Sequence, residues 1–181
     1  GGAIGASDKA LTTLLLSKDS DKGLSAVASG GVYIDNLGDK NTIGDNLDLR
    51  IINISSGGDI YLGSDQNIIM GDVNGTDAVN YIRAENNGDI VLEARGGSIG
   101  EPVNETDKDG NVLVDTNNKP IIYRDKNNGI RILNSVASSS SANDTNVSNV
   151  VLRASDSVYL TGVASTDGKT AVAQGPAGTL N

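Results

Sequence analysis

A short phrase with one residue between two aliphatic positions keeps returning along the chain. It appears as GGVYI at 30–34, GDIYL at 58–62, GDIVL at 88–92, NGIRI at 128–132 and DSVYL at 156–160. An outward residue flanked by two inward aliphatics is what a half-buried β-strand requires. The central positions Val32, Ile60, Ile90, Ile130 and Val158 lie 28, 30, 40 and 28 residues apart. Recurrence at such a period is the mark of stacked repeats. The predicted inward residues are Val32 and Ile34, Ile60 and Leu62, Ile90 and Leu92, Ile130 and Ile132, and Val158 and Leu160.

Two further tracks accompany this phrase. Upstream runs LSAVA at 24–28, IINI at 51–54, IRA at 82–84 and VLRA at 151–154, with Leu24, Ala26, Ala28, Ile52, Ile54, Ile82, Ala84, Leu152 and Ala154 read as inward. Downstream, TIGD at 42–45, IIMGD at 68–72 and SIGE at 98–101 set an Ile and a Gly before an acidic residue. Gly30–Gly31, Gly57–Gly58, Asn87–Gly88 and Asn128–Gly129 supply the turns. The segment 10–16, ALTTLLL, reads as a strand, with one turn of helix as the alternative.

The predicted fold is therefore all-β: a parallel β-helix solenoid of about five coils, spanning 1–165 and carrying loop or hairpin excursions. Insertions are placed at about 101–127, with a hairpin between NVLVD and PIIYR, and at 135–149, a Ser/Asn-rich stretch. Residues 166–181 read as a linker or partly ordered end. GGAIG at 1–5 repeats as GGSIG at 96–100, so the chain reads as a segment of a longer array.

Composition narrows the chemistry. The formal charge is −9, which leaves no basic stripe for a phosphate backbone and argues against nucleic acid. There is no His and no Cys, so the commonest general base and the thiol ligands are missing together. The apolar run at 11–16 is too short to span a bilayer. No cofactor is expected.

The steps GGAIG, LSAVA, GGVYI, TIGD and GDIVLEARGGSI resemble the repeats of filamentous haemagglutinin-like and leukotoxin-type bacterial exoprotein adhesins. That resemblance covers most of 1–100 and 128–165, with both insertions outside it. It implies a right-handed β-helix exported by two-partner or autotransporter-like secretion. It also implies an extracellular, cell-surface role in adhesion, aggregation, biofilm or filament formation. The implied partners are a host-cell or matrix receptor, a glycan, or a further copy along a filament.

Four sets of residues are candidates for more than scaffolding. Tyr33, Tyr61 and Tyr159 are read as one outward aromatic track able to stack on glycans. Asp107, Asp109, Asn111 and Asp115 alternate as calcium ligands do, although Gly110 falls too early and no Glu closes the loop. DVNGTD at 72–77 is a weaker version of the same pattern. Asp59 and Asp89 occupy equivalent places and read either as turn residues or as a carboxylate pair of a β-helical polysaccharide-cleaving enzyme. Sequons stand at Asn53, Asn74, Asn104, Asn143 and Asn146. Lacking a matched cluster of acids and bases, the chain reads as a non-enzymatic adhesive stalk. The alternative is a β-helical carbohydrate-binding or carbohydrate-cleaving module.

Overall fold

The computed structural model describes residues 2–14, 23–37, 48–70, 80–100, 104–121, 134–138, 149–159, 162–165 and 171–174. All regular structure among them is β-strand. The strands are β1 (Leu11–Thr13), β2 (Leu24–Ala28), β3 (Val32–Asn36), β4 (Leu49–Ser56), β5 (Ile60–Ser64) and β6 (Ile68–Met70). They continue as β7 (Asn80–Ala84), β8 (Ile90–Ala94), β9 (Asn134–Ser138), β10 (Val150–Ala154), β11 (Gly162–Ser165) and β12 (Ala171–Gln174).

Two parallel sheets result. The first runs β1-β3-β5-β8-β10-β12, and the second β11-β9-β7-β4-β2, with β6 added on β4. A third, thinner ladder joins Leu49 to Ile68, Ile68 to Ile99 and Ile99 to Val158. From β4 onward the chain meets the second sheet, the first sheet and the third ladder in that order, and then begins again.

Register in the first sheet is strict. Val32, Ile60, Ile90 and Val150 pair in sequence, as do Ile34, Leu62, Leu92 and Leu152. Each of these eight side chains is buried, while the residues between them are half-exposed. A parallel sheet normally reads as a continuous apolar run because both its faces are covered. Here one face meets water, so the alternation survives. Ile54, Ile82 and Ala84 of the second sheet and Leu49, Ile68, Ile99 and Val158 of the third ladder join the same apolar cluster.

The structure corrects several expectations. The fourth member of the first ladder is Val150–Leu152, whereas the sequence pattern places VLRA on the upstream track. Val158 is buried as expected but sits on the third ladder beside Ile99. In β4 the inward residues are Ile51 and Ile54. The register shifts opposite Leu24 and Ser25, Ile52 is the extra residue, and it stands half-exposed at the bulge. Residues 134–138, which overlap the predicted insertion, are β9, and residues 171–174, within the predicted linker, are β12 on β10. Segment 11–13 is a strand, not a helical turn. Ile130, Ile132 and Leu160 lie outside the described residues.

Polar residues close the corners between ladders. Asp59 Oδ1 accepts the Asp89 amide at 2.9 Å, and Asp89 Oδ1 accepts the Asn149 amide at 2.7 Å. At another corner Asp48 accepts the Asn67 side-chain amide at 2.8 Å, Asn67 Oδ1 accepts the Ser98 amide at 2.6 Å, and Ser98 Oγ accepts the Ser157 amide at 3.2 Å. These side chains satisfy donors further along the chain, where no ladder bond reaches.

Candidate binding face

The outward face of the first sheet holds the aromatic residues. Tyr33 and Tyr61 are direct partners in register, followed by Val91 and Val151. Tyr159 is not on this track. It follows Val158 on the third ladder, where its amide donates to Ile99 O at 2.7 Å. The aromatic column therefore has two members rather than three, and it continues as valine.

Both rings lie down on the sheet, in opposite directions. A Cβ placed on Gly31 would strike the Tyr33 ring, so that ring rests over bare backbone, with its hydroxyl 3.5 Å from Asp59. A Cβ on Gly63 would come within 2.7 Å of the Tyr61 hydroxyl. That hydroxyl donates to Glu93 Oε2 at 3.0 Å. Burial, and then the neighbouring carboxylate, push both phenols above the ordinary tyrosine range.

Beside Tyr61 a guanidinium ties successive repeats together. Arg95 Nη2 donates to Asp35 at 2.6 Å, Nε donates to Asp65 at 2.8 Å, and Nη1 lies 3.7 Å from Glu93. Glycine at 63 leaves the space through which Asp35 and Arg95 meet. Burial by itself disfavours the Arg95 charge, but the hydrogen bonds to Asp35 and Asp65 outweigh it and hold the guanidinium protonated. Sequence reading missed this clasp because its members are spread over 60 residues and belong to no local motif. The register Asp35–Gly63–Glu93 was the available signal.

Asp59 and Asp89 are equivalent, as their spacing suggested, but their Oδ1 atoms are spent on backbone amides. This is the turn role. Nothing in the described geometry aims the pair at a shared substrate position.

Residues 104–121 form a three-sided loop. Thr106 pairs with Val112 and Val114 with Pro120, both antiparallel, where the sequence pattern predicts a single hairpin. Leu113 donates to Glu105 O at 2.9 Å, Ile121 to Leu113 O at 2.9 Å, and Glu105 to Ile121 O at 2.7 Å. The three hydrogen bonds close a ring. Two turns of one design join its sides. Asp107 accepts the amides of Asp109 and Asn111, and Asp115 those of Asn117 and Lys119. The residue at positive φ is Gly110 in the first turn and Asn118 in the second, both able to adopt it.

The calcium candidates fall here. Asp107 and Asp115 organise separate turns, while Asp109 is exposed beside Lys108. Among the described residues no group of three or more His, Cys, Asp or Glu could hold a metal ion. DVNGTD at 72–77 lies outside the described residues, as do Asn74, Asn143 and Asn146. Of the other sequons, Asn53 is half-exposed in β4 and Asn104 is exposed on the loop. Among the described residues no helix is long and apolar enough to cross a membrane. Comparison with protein-family models, with curated proteins and with solved structures returns no match.

Proposed function

We propose that the chain is a segment of a parallel, right-handed β-helical stalk, displayed outside a bacterial cell as part of a filamentous haemagglutinin-like adhesin. The observation that carries this reading is the repeated circuit of second sheet, first sheet and third ladder, with apolar residues stacked in register on all three. A circuit of that kind adds about 4.8 Å of length per repeat and buries each apolar face only through its neighbours. Such a design supplies reach and mechanical persistence. Exposed outer faces and the projecting loop at 104–121 are then free to contact a receptor, a matrix component or a glycan. The acidic balance of the chain fits an extended surface that must not collapse on itself.

A non-enzymatic role fits the same geometry, because the stacked carboxylates hold turns. A carbohydrate-binding role on the stalk is favoured by one feature, the pair of tyrosine rings lying flat on the first sheet. The test is attachment. Beads coated with the full chain should adhere to epithelial cells or matrix, or aggregate one another. Beads that stay dispersed and bind neither would overturn the adhesive reading. Shortening of an acidic polysaccharide by the protein would replace it with an enzymatic one.

A further inference from the structure

The flat tyrosine pair has surroundings specific enough to name a ligand class. Tyr33, Tyr61, Val91 and Val151 form a continuous stripe that runs along the stacking direction, one residue per rung. Asp59 and Asp89 border it on one side, and Asp35, Glu93 and Arg153 on the other, with Asp65 and Arg95 beyond. These are five carboxylates against two guanidiniums. Arg95 already serves Asp35, Asp65 and Glu93 together, which leaves the border formed by Asp59 and Asp89 with no cation among these groups.

Three properties of a partner follow. Rings that lie flat over Gly31 and Gly63 present their faces rather than their edges, so the partner offers flat apolar surfaces. The stripe repeats about every 4.8 Å, comparable with the length of one pyranose residue, so a linear polymer can advance one unit per rung. The acidic borders repel sulfated or uronic-acid chains and attract amines.

We propose that this stripe binds a linear amino-sugar polymer in its protonated form. The rings of Tyr33 and Tyr61 stack on pyranose faces, and Asp59 and Asp89 pair with ammonium and hydroxyl groups. The proposal rests on the adhesive, carbohydrate-binding reading above and deepens it. If coated beads attach to cells or matrix and the polymer does not bind, only this inference falls.

The experiment titrates the full chain by calorimetry with the β-1,4-linked glucosamine hexasaccharide at mildly acidic pH. The fully N-acetylated hexasaccharide is the uncharged control. Saturable binding to the first is expected, weaker by about tenfold or more for the acetylated probe and for the Tyr33→Leu/Tyr61→Leu variant. Asp59→Asn keeps an oxygen for the Asp89 amide and is expected to weaken binding while preserving the fold. Should the tyrosine variant misfold, ring resonances of the unaltered protein decide: those of Tyr33 and Tyr61 should shift on titration. Absence of saturable binding, equal affinity for both probes, or unmoved tyrosine signals would each overturn the proposal. So would a concentration-dependent dimer that masks the same two rings.

Discussion

Asp89 and Asn149 stand 60 residues apart in the chain and meet at one corner. Asp89 Oδ1 accepts both the Asn149 backbone amide, at 2.7 Å, and its side-chain amide, at 3.1 Å. The Asp89 backbone amide meanwhile donates to Asp59. One residue thus links neighbouring repeats where strand pairing has ended. Asp89→Ala leaves the Asn149 donors to be satisfied by water in a half-buried place, and should cost about 1–2 kcal/mol. Urea unfolding checks it, and an unchanged midpoint would remove the corner from the account of stability.

The apolar columns set a larger scale. Ile90 is fully buried between Ile60 and Val150. Ile90→Ala should lose about 2–5 kcal/mol, and Ile90→Asp more, because an unpaired charge would enter the core. Ile52, the bulge residue, is the contrast: Ile52→Ala should cost about 1 kcal/mol or less. Equal losses at the two sites would contradict the register of β4.

Glycines at the corners differ in what they make room for. A Cβ on Gly88 would collide with the Gly58 carbonyl, which is backbone of the adjoining repeat and cannot step aside. A Cβ on Gly63 would meet only the ends of Asp35, Tyr61 and Arg95 side chains. Gly88→Ala is therefore expected to lower the melting temperature strongly. Gly63→Ala should open the Arg95 clasp with a smaller loss. Thermal melts of the two variants, compared at low and high salt, separate these effects.

The loop at 104–121 should respond to acid on its own. The hydrogen bonds from Asn111 hold the Asp107 carboxyl below the usual aspartate range, and those from Lys119 and Asn117 do the same for Asp115. A depressed folded value means that the turns are favoured above the ordinary aspartate range. That advantage fades as pH falls through the lowered values. Carbon-detected titration of the two side chains should show both midpoints displaced downward. Asp107→Ala should increase protease cutting in the loop while leaving the melt of the stacked strands in place.

Tyr61 gives the opposite sign. Burial and the Glu93 hydrogen bond raise its phenol, so the protonated form is favoured by folding. The associated stability is present below the ordinary tyrosine value and is lost as pH rises through the raised one. Ultraviolet titration should place Tyr61 above a free tyrosine, and Glu93→Gln should bring it down.

The phrases GGVYI, GDIYL and GDIVL mark three rungs of the first ladder because each carries both its strand and the corner before it. The fourth rung is misread from sequence for a physical reason. NVVLRASDSVYL contains the apolar-x-apolar pattern twice, and all three ladders use that pattern. Only the corner residue distinguishes them. Asn149 occupies the corner beside Asp89, which assigns Val150 rather than Val158 to the first sheet. Ile51 and Ile52 pose a similar ambiguity, since a bulge lets either begin the alternation. Arg95 is invisible in the sequence for another reason: its partners Asp35 and Asp65 are neighbours only once repeats are stacked.

The ring of hydrogen bonds through Glu105, Leu113 and Ile121 brings the start and finish of that excursion together. Because the departing and returning chain meet at one point, the detour imposes no spacing demand on the strands it leaves and rejoins. A longer or different payload can be spliced in at this junction while the supporting column stays as it is. Cargo and carrier are thereby free to diversify at separate rates.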